Sequence, residues 1–211
     1  MAIDLKKFKK SVEKKLPIIF LVEENKSIAD SSAFLACSVL SKALTKNIHA
    51  EIMLISYGMD WTIRYPQIRK KESSPNFIGL DKIDLRAINQ TIKQFPTSSQ
   101  TLLGSALDLC KAILDDADTV KPDRYKPVLI IISSKAPAKG WEEHFNSLVK
   151  EGRSSKAQVY WIVAGDEEFE PPENCTFIDL NQATSVKKRS VKKLTAKKPE
   201  KKAPAKKAAK K

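Results

Sequence analysis

The sequence predicts an α/β fold, an open and mostly parallel sheet with helices on both faces and one antiparallel edge strand. Three observations lead there. The stretch Leu16–Ile28 (LPIIFLVEENKSI) opens as an apolar run and stops abruptly in short polar side chains. Pro127–Ile132 (PVLIII) does the same before Ser133, Ser134 and Lys135. Runs of branched residues without polar alternation suit central strands covered on both faces. Between such runs, apolar residues recur at spacings of three and four, so strands alternate with helices, the order that builds parallel sheets.

Taken in order, Ile3–Lys15 carries Leu5, Phe8 and Val12 at helical spacing among six lysines, which predicts a short amphipathic helix packed on the domain. Leu16–Val22 is the first strand, and Ser31–Leu44 the first crossover helix. Ala50–Tyr57 (AEIMLISY) is a second strand. Trp61–Tyr65 alternates like a half-buried third, with Gly58–Asp60 as the turn of a hairpin between them. Residues 66–80 are rich in turn formers and basic, predicting an irregular surface loop. Leu85, Ile88, Ile92 and Phe95 mark a helix over Asp81–Phe95, ended by Pro96.

Thr97–Ala117 (TSSQTLLGSALDLCKAILDDA) reads as a hydroxyl-rich loop and then a helix whose inner face is Leu103, Leu107, Cys110 and Leu114. Gly104 and Ala106 should let that helix approach the sheet. After the linker 118–126 come the Pro127–Ile132 strand, a helix over Trp141–Val149, and strands at Gln158–Ala164 and Thr176–Leu180.

The 211 residues suffice for one full hydrophobic core with some excess. Charge divides the chain. Residues 187–211 hold 13 Lys and Arg against the single acid Glu200, a net +12, which leaves +1 of the total +13 for everything before them. The predicted organisation is a basic segment 1–15, a domain 16–183 and a disordered Lys/Ala/Pro-rich tail 184–211, since such a composition cannot offset its ordering entropy by burial. No run reaches the ~18 apolar residues a bilayer span needs, and the first fifteen residues lack a signal-peptide core, so a cytoplasmic protein without membrane contact is expected.

Catalytic chemistry finds little footing. Cys37, Cys110 and Cys175 have no metal-binding spacing, and Cys37 and Cys110 fall on apolar helix faces as small hydrophobes. His49 and His144 have no nucleophile or carboxylate beside them by sequence spacing and read as surface residues. Trp61, Trp141 and Trp161 read as core or near-core packing. No phosphate-cradling glycine motif occurs. A non-enzymatic protein is expected.

What remains is one edge of the sheet, where Glu23-x-Asn25-x-Ser27, Thr101 and Ser133-Ser134 should converge at the strands' carboxyl ends, the usual ligand side of such sheets. In their order, LPIIFLVEENKSI, TLLGSALDLCKAIL and YKPVLIIISSKAPAKGWEE resemble the D-x-S-x-S loop, T-x-L-G-x-A-L helix and T-D-G strand end of von Willebrand factor A domains. The similarity covers about residues 14–182, and the bacterial tellurite-resistance Y-type subgroup is the nearest in pattern. The resemblance implies a Rossmann-like fold and a metal-ion-dependent adhesion site for Mg²⁺ at Glu23, Asn25, Ser27, Thr101 and Ser134.

Only Ser27 and Thr101 keep the family's residue types. Ser134 replaces an aspartate, removing a full charge; Glu23 is one methylene longer than the expected aspartate; Asn25 stands for a serine; Lys26 and Lys135 add positive charge. Mg²⁺ needs a compact octahedral shell at ~2.0–2.1 Å with one or two carboxylates. The expected outcome is a degenerate site with weak or no Mg²⁺ and no other cofactor.

The tail supplies the other candidate surface. Lys187, Lys188, Arg189, Lys192, Lys193, Lys197, Lys198, Lys201, Lys202, Lys206, Lys207, Lys210 and Lys211 resemble a linker-histone-type tail in composition. Such segments bind nucleic acid or another polyanion by releasing counterions from phosphates. With no aromatic interleaved, neither base stacking nor sequence readout is expected. Two functional readings therefore stand: a non-enzymatic interaction module whose sheet top contacts a protein partner, which the resemblance places in a bacterial stress-response or signalling assembly, or a sequence-independent nucleic-acid binder acting through the tail.

Overall fold

The computed structural model describes residues 14–29, 49–66, 76–79, 82, 85–98, 100–134, 136–164 and 172–179. The expected helices over 3–15 and 31–44, most of the 66–80 loop, Cys37 and the tail fall largely or wholly outside them.

Among the described residues seven strands form one sheet: β1 (Lys15–Glu23), β2 (His49–Tyr57), β3 (Trp61–Tyr65), β4 (Ile78–Gly79), β5 (Val128–Ser133), β6 (Gln158–Val163) and β7 (Thr176–Asp179). The order is β3-β2-β1-β5-β6-β7, with β4 also on β2. Every pairing from β2 through β7 is parallel, and β3 and β4 run antiparallel to β2. The helices are α1 (Lys26–Ala29), α2 (Leu85–Lys93), α3 (Leu103–Asp115) and α4 (Glu142–Lys150), with a 3₁₀ turn at Ser154–Lys156. This is the von Willebrand factor A-like, Rossmann-like α/β architecture that the sequence predicts.

Strand alternation sorts the core into two layers. Ile19 and Leu21 of β1, Met53 and Ile55 of β2 and Leu129 and Ile131 of β5 face α3 and α4, where Leu103, Leu107, Cys110, Leu114, Phe145 and Leu148 meet them. Ile18, Phe20, Val22, Ile52, Leu54, Ile130 and Ile132 face the other way, toward Ile88, Ile92 and Phe95 of the α2 segment. Each fully buried aliphatic of this kind contributes about 1.5–3 kcal/mol, which is why β1 and β5 carry no polar alternation. Trp141 and Trp161 meet edge to face at 5.0 Å within the first layer.

Several expectations need correction. Lys15 opens β1 rather than closing a helix. Ile78–Gly79, inside the expected irregular loop, pairs with Ile52 and Glu51 of β2; a two-residue strand held by backbone bonds has no side-chain signature. Gly104 does not serve approach to the sheet: a Cβ there would lie 2.7 Å from Cδ2 of His144, so it admits α4 against α3. Trp61 is 38% exposed and lies on the edge strand, outside the core.

Candidate functional site

The strand order reverses between β1 and β5, because β2 follows on one side of β1 and β5 on the other. A crevice opens at the carboxyl ends of two strands whose connections depart in opposite directions, and ligands of open α/β sheets bind there. Glu23 ends β1, and Ser134 directly follows β5.

The two are bonded to each other. Glu23 Oε2 accepts from the Ser134 backbone N–H at 2.5 Å and from its hydroxyl at 2.8 Å. Asn25 Nδ2 donates to the same Ser134 Oγ at 2.9 Å. The orientation of the Asn25 amide follows from the start of α1: its Oδ1 accepts from the backbone N–H and the hydroxyl of Ser27, both at 3.0 Å. A short polar side chain before a helix commonly takes that capping role, and here it turns the amide nitrogen toward Ser134. Glu23 is 1% exposed, and its Oε1 has no hydrogen-bond partner among the described residues.

Thr101 is buried at the same edge. Its loop is stitched in by backbone bonds, Ser98 N–H to the Glu24 carbonyl at 3.1 Å and Leu102 N–H to the Gly58 carbonyl at 2.7 Å. Among the described residues, no side-chain hydrogen bond joins Thr101 to Glu23, Asn25 or Ser134. Ser133 faces away: its hydroxyl accepts from Trp161 Nε1 at 3.0 Å inside the core. Thus Glu23, Asn25, Ser27 and Ser134 form one chain of hydrogen bonds, Thr101 stands beside it, and the side chain of Lys135 lies outside the described residues.

As a donor set this cluster does not fit Mg²⁺. A cation needs lone pairs converging on one point, whereas one Glu23 oxygen is engaged by two donors, Asn25 presents an N–H, and its carbonyl oxygen serves α1. Among the described residues no three His, Cys, Asp or Glu side chains gather to hold a metal ion.

A second network at this edge was not read from the sequence. Glu24, next to the motif carboxylate, pairs with Arg64 of β3 at 2.6 Å and accepts from Ser56 Oγ at 2.7 Å. Arg64 Nε donates to Ser56 Oγ at 2.8 Å, and the guanidinium lies 5.4 Å from the Phe95 ring centre. The doublet Glu23-Glu24 was its signal, but Arg64 is forty residues away. The pair neutralises Glu24 and fixes the hairpin against β1. Tyr57, at the end of β2, has its phenol held well above the ordinary range by burial and then by the charge of Glu23.

The hairpin turn presents an apolar rim. Met59 is 66% exposed, Leu102 49% and Trp61 38%, and the Leu102–Gly58 bond holds their loops together. Elsewhere, His144 Nδ1 lies 2.8 Å from Asp108 Oδ1, so a carboxylate does accompany this histidine, contrary to the reading from spacing alone. Cys110 is buried in the core with its thiol pushed far up by desolvation, as expected of a small hydrophobe.

No protein-family model matches the chain, and no curated protein does either. Solved structures do. A von Willebrand factor type A protein from Catenulispora acidiphila is similar over 74% of this chain at 12% identity with a TM-score of 0.50. This chain covers 34% of that one, about a third of its length. The manganese-loaded TRAP protein of Plasmodium vivax is similar over 82% of this chain and 72% of its own, at 16% identity and a TM-score of 0.51. At such identities the likeness is one of fold.

Proposed function

We propose that this chain is a non-enzymatic protein-interaction module of von Willebrand factor A type that engages its partner at the top of the sheet without a metal ion. The observation that carries this reading is the rim of Met59, Trp61 and Leu102 beside the Glu23–Ser134 cluster. Exposed large apolar side chains grouped at one edge mark contact surfaces, and tryptophan is the residue type most often found at their energetic centre. The backbone bonds from Leu102 N–H to Gly58 and from Ser98 N–H to Glu24 support it by fixing the loops that present the rim, so that little ordering entropy is left for binding to offset. Within this reading the module serves a bacterial stress-response or signalling assembly in the cytoplasm.

The test uses a photoreactive residue at position 61 or 102 in cells, against the same residue at exposed Lys82. A defined crosslinked partner from positions 61 and 102 but not 82, lost on Leu102→Asp and unaffected by chelators, is the expected result. Equal labelling from position 82, or loss of the crosslink on removing divalent cations, sinks it. The charge division favours a second activity beside this one: the 13 cations of residues 187–211 bind nucleic acid or another polyanion without sequence preference.

A further inference from the structure

At the opposite edge, where the strands begin, a cleft of about 350 Å³ lies between the end of α3, the linker to β5 and the turn before β6. Lys121, Arg124, Lys126, Arg153 and Lys156 line it together with Tyr125, and none of its lining residues is acidic. The two arginines build its walls. Arg124 pairs with the buried Glu51, which also faces Lys15, and Arg153 donates to the Val120 carbonyl at 2.6 Å.

Two nearby carboxylates are committed elsewhere. Asp115 bonds Lys111 and the Ser154 N–H, and Asp116 bonds the Thr119 hydroxyl and the Asp118 N–H. Lys121, Lys126 and Lys156 are left without a carboxylate partner among the described residues. Three cations around one concavity raise the local potential for an anion well above that of a flat surface. Prolines 122 and 127 stiffen the rim, and the Tyr125 ring, 42% exposed and with Lys14 Nζ over it at 5.8 Å from its centre, is the flat wall of the cleft.

We propose that this cleft is a binding site for a small phosphate-bearing molecule of mononucleotide size, its phosphates held by Lys121, Lys126 and Lys156 and its heterocycle resting on Tyr125. The volume lies within the range of small-molecule sites. The site is separate from the sheet top, with the whole strand length between them.

The test is calorimetric titration of the full chain with ADP, pyrophosphate and adenosine. The variants are the combined Lys121→Glu, Lys126→Glu and Lys156→Glu; a charge-matched control with Lys82→Glu, Lys93→Glu and Lys139→Glu; and Tyr125→Ala. Thermal melts confirm that each folds. Saturable binding of ADP and pyrophosphate but not adenosine is expected. The cleft variant should lose affinity by roughly tenfold or more, the control should keep most of it, and Tyr125→Ala should weaken ADP more than pyrophosphate. Equal losses in cleft variant and control would assign the binding to the tail or to net charge and overturn the proposal, as would absent saturation or adenosine binding as well as ADP. Equal effects of Tyr125→Ala on both ligands would overturn the nucleotide assignment.

Discussion

Replacing Ser134 by alanine removes one hydroxyl that links three parts of the sheet top. That hydroxyl donates to the buried Glu23 carboxylate at 2.8 Å and accepts from Asn25 at 2.9 Å. A hydrogen bond to a charged group is worth about 1.5–3 kcal/mol and a neutral one about 0.5–1.5. The backbone N–H of Ser134 still reaches Glu23, which limits the loss, so Ser134→Ala should cost about 2–4 kcal/mol. For a chain of this size that corresponds to a fall in Tm of about 5–15 °C. Urea melts followed by tryptophan fluorescence measure it. Ser27→Ala is the internal comparison: its exposed hydroxyl only duplicates the backbone bond to Asn25, and should cost about 0.5 kcal/mol. Added MgCl₂ should leave both melts in place. A Ser134→Ala protein as stable as the parent, or a parent stabilised by Mg²⁺ in a manner the variant loses, would refute the account of a cluster held together by its own hydrogen bonds.

Leu107→Ala and Ile130→Ala, one in each core layer, should each cost about 2–5 kcal/mol in the same melts, whereas Lys207→Ala should be silent. Burial raises the Asp115 carboxyl, but the bonds from Lys111 and Ser154 together outweigh it and hold the group below its ordinary value. The contribution is therefore complete above about pH 4 and disappears as pH falls through the lowered folded value. Asp115→Asn should shrink the difference in urea stability between neutral and acid pH, and an unchanged difference would contradict the assignment. Deleting residues 187–211 should abolish most binding to duplex DNA in gel shifts, and for the full chain affinity should drop by about 10³–10⁵ between 50 and 200 mM salt if six to ten lysines engage phosphates.

What could be read from the chain follows from where the signals reside. β1 and β5 announced themselves because the middle of a strand covered on both faces rarely holds a charged residue, and both runs turn polar at their carboxyl ends. The convergence of Glu23, Asn25 and Ser134 was legible for the same reason. Their actual bonds were not, since residue spacing does not say which way the Asn25 amide turns, and the start of α1 decides it. Glu24–Arg64 and Asp108–His144 escaped because each joins elements distant in sequence, a juxtaposition created by packing. Gly104 was recognised as a point of close approach, but its partner is the His144 ring, and only the helix crossing reveals that. Trp61 alternated as an edge strand should, yet its face could not be told apart from a core face until the sheet order was known.

The outer side of β2 has a consequence for how the molecule keeps to itself. A long parallel-sheet border with free backbone groups invites a strand from another copy to add on, the route to aggregates. Here β3 covers Leu54–Tyr57 and β4 covers Glu51 and Ile52, with a register shift beside Leu54. Two short antiparallel pieces thus close one border piecemeal. At the other border β7 offers four residues. A chain extending the sheet would meet, among the described residues, only the five residues of β3 or the four of β7, edges too short to template a stable ladder.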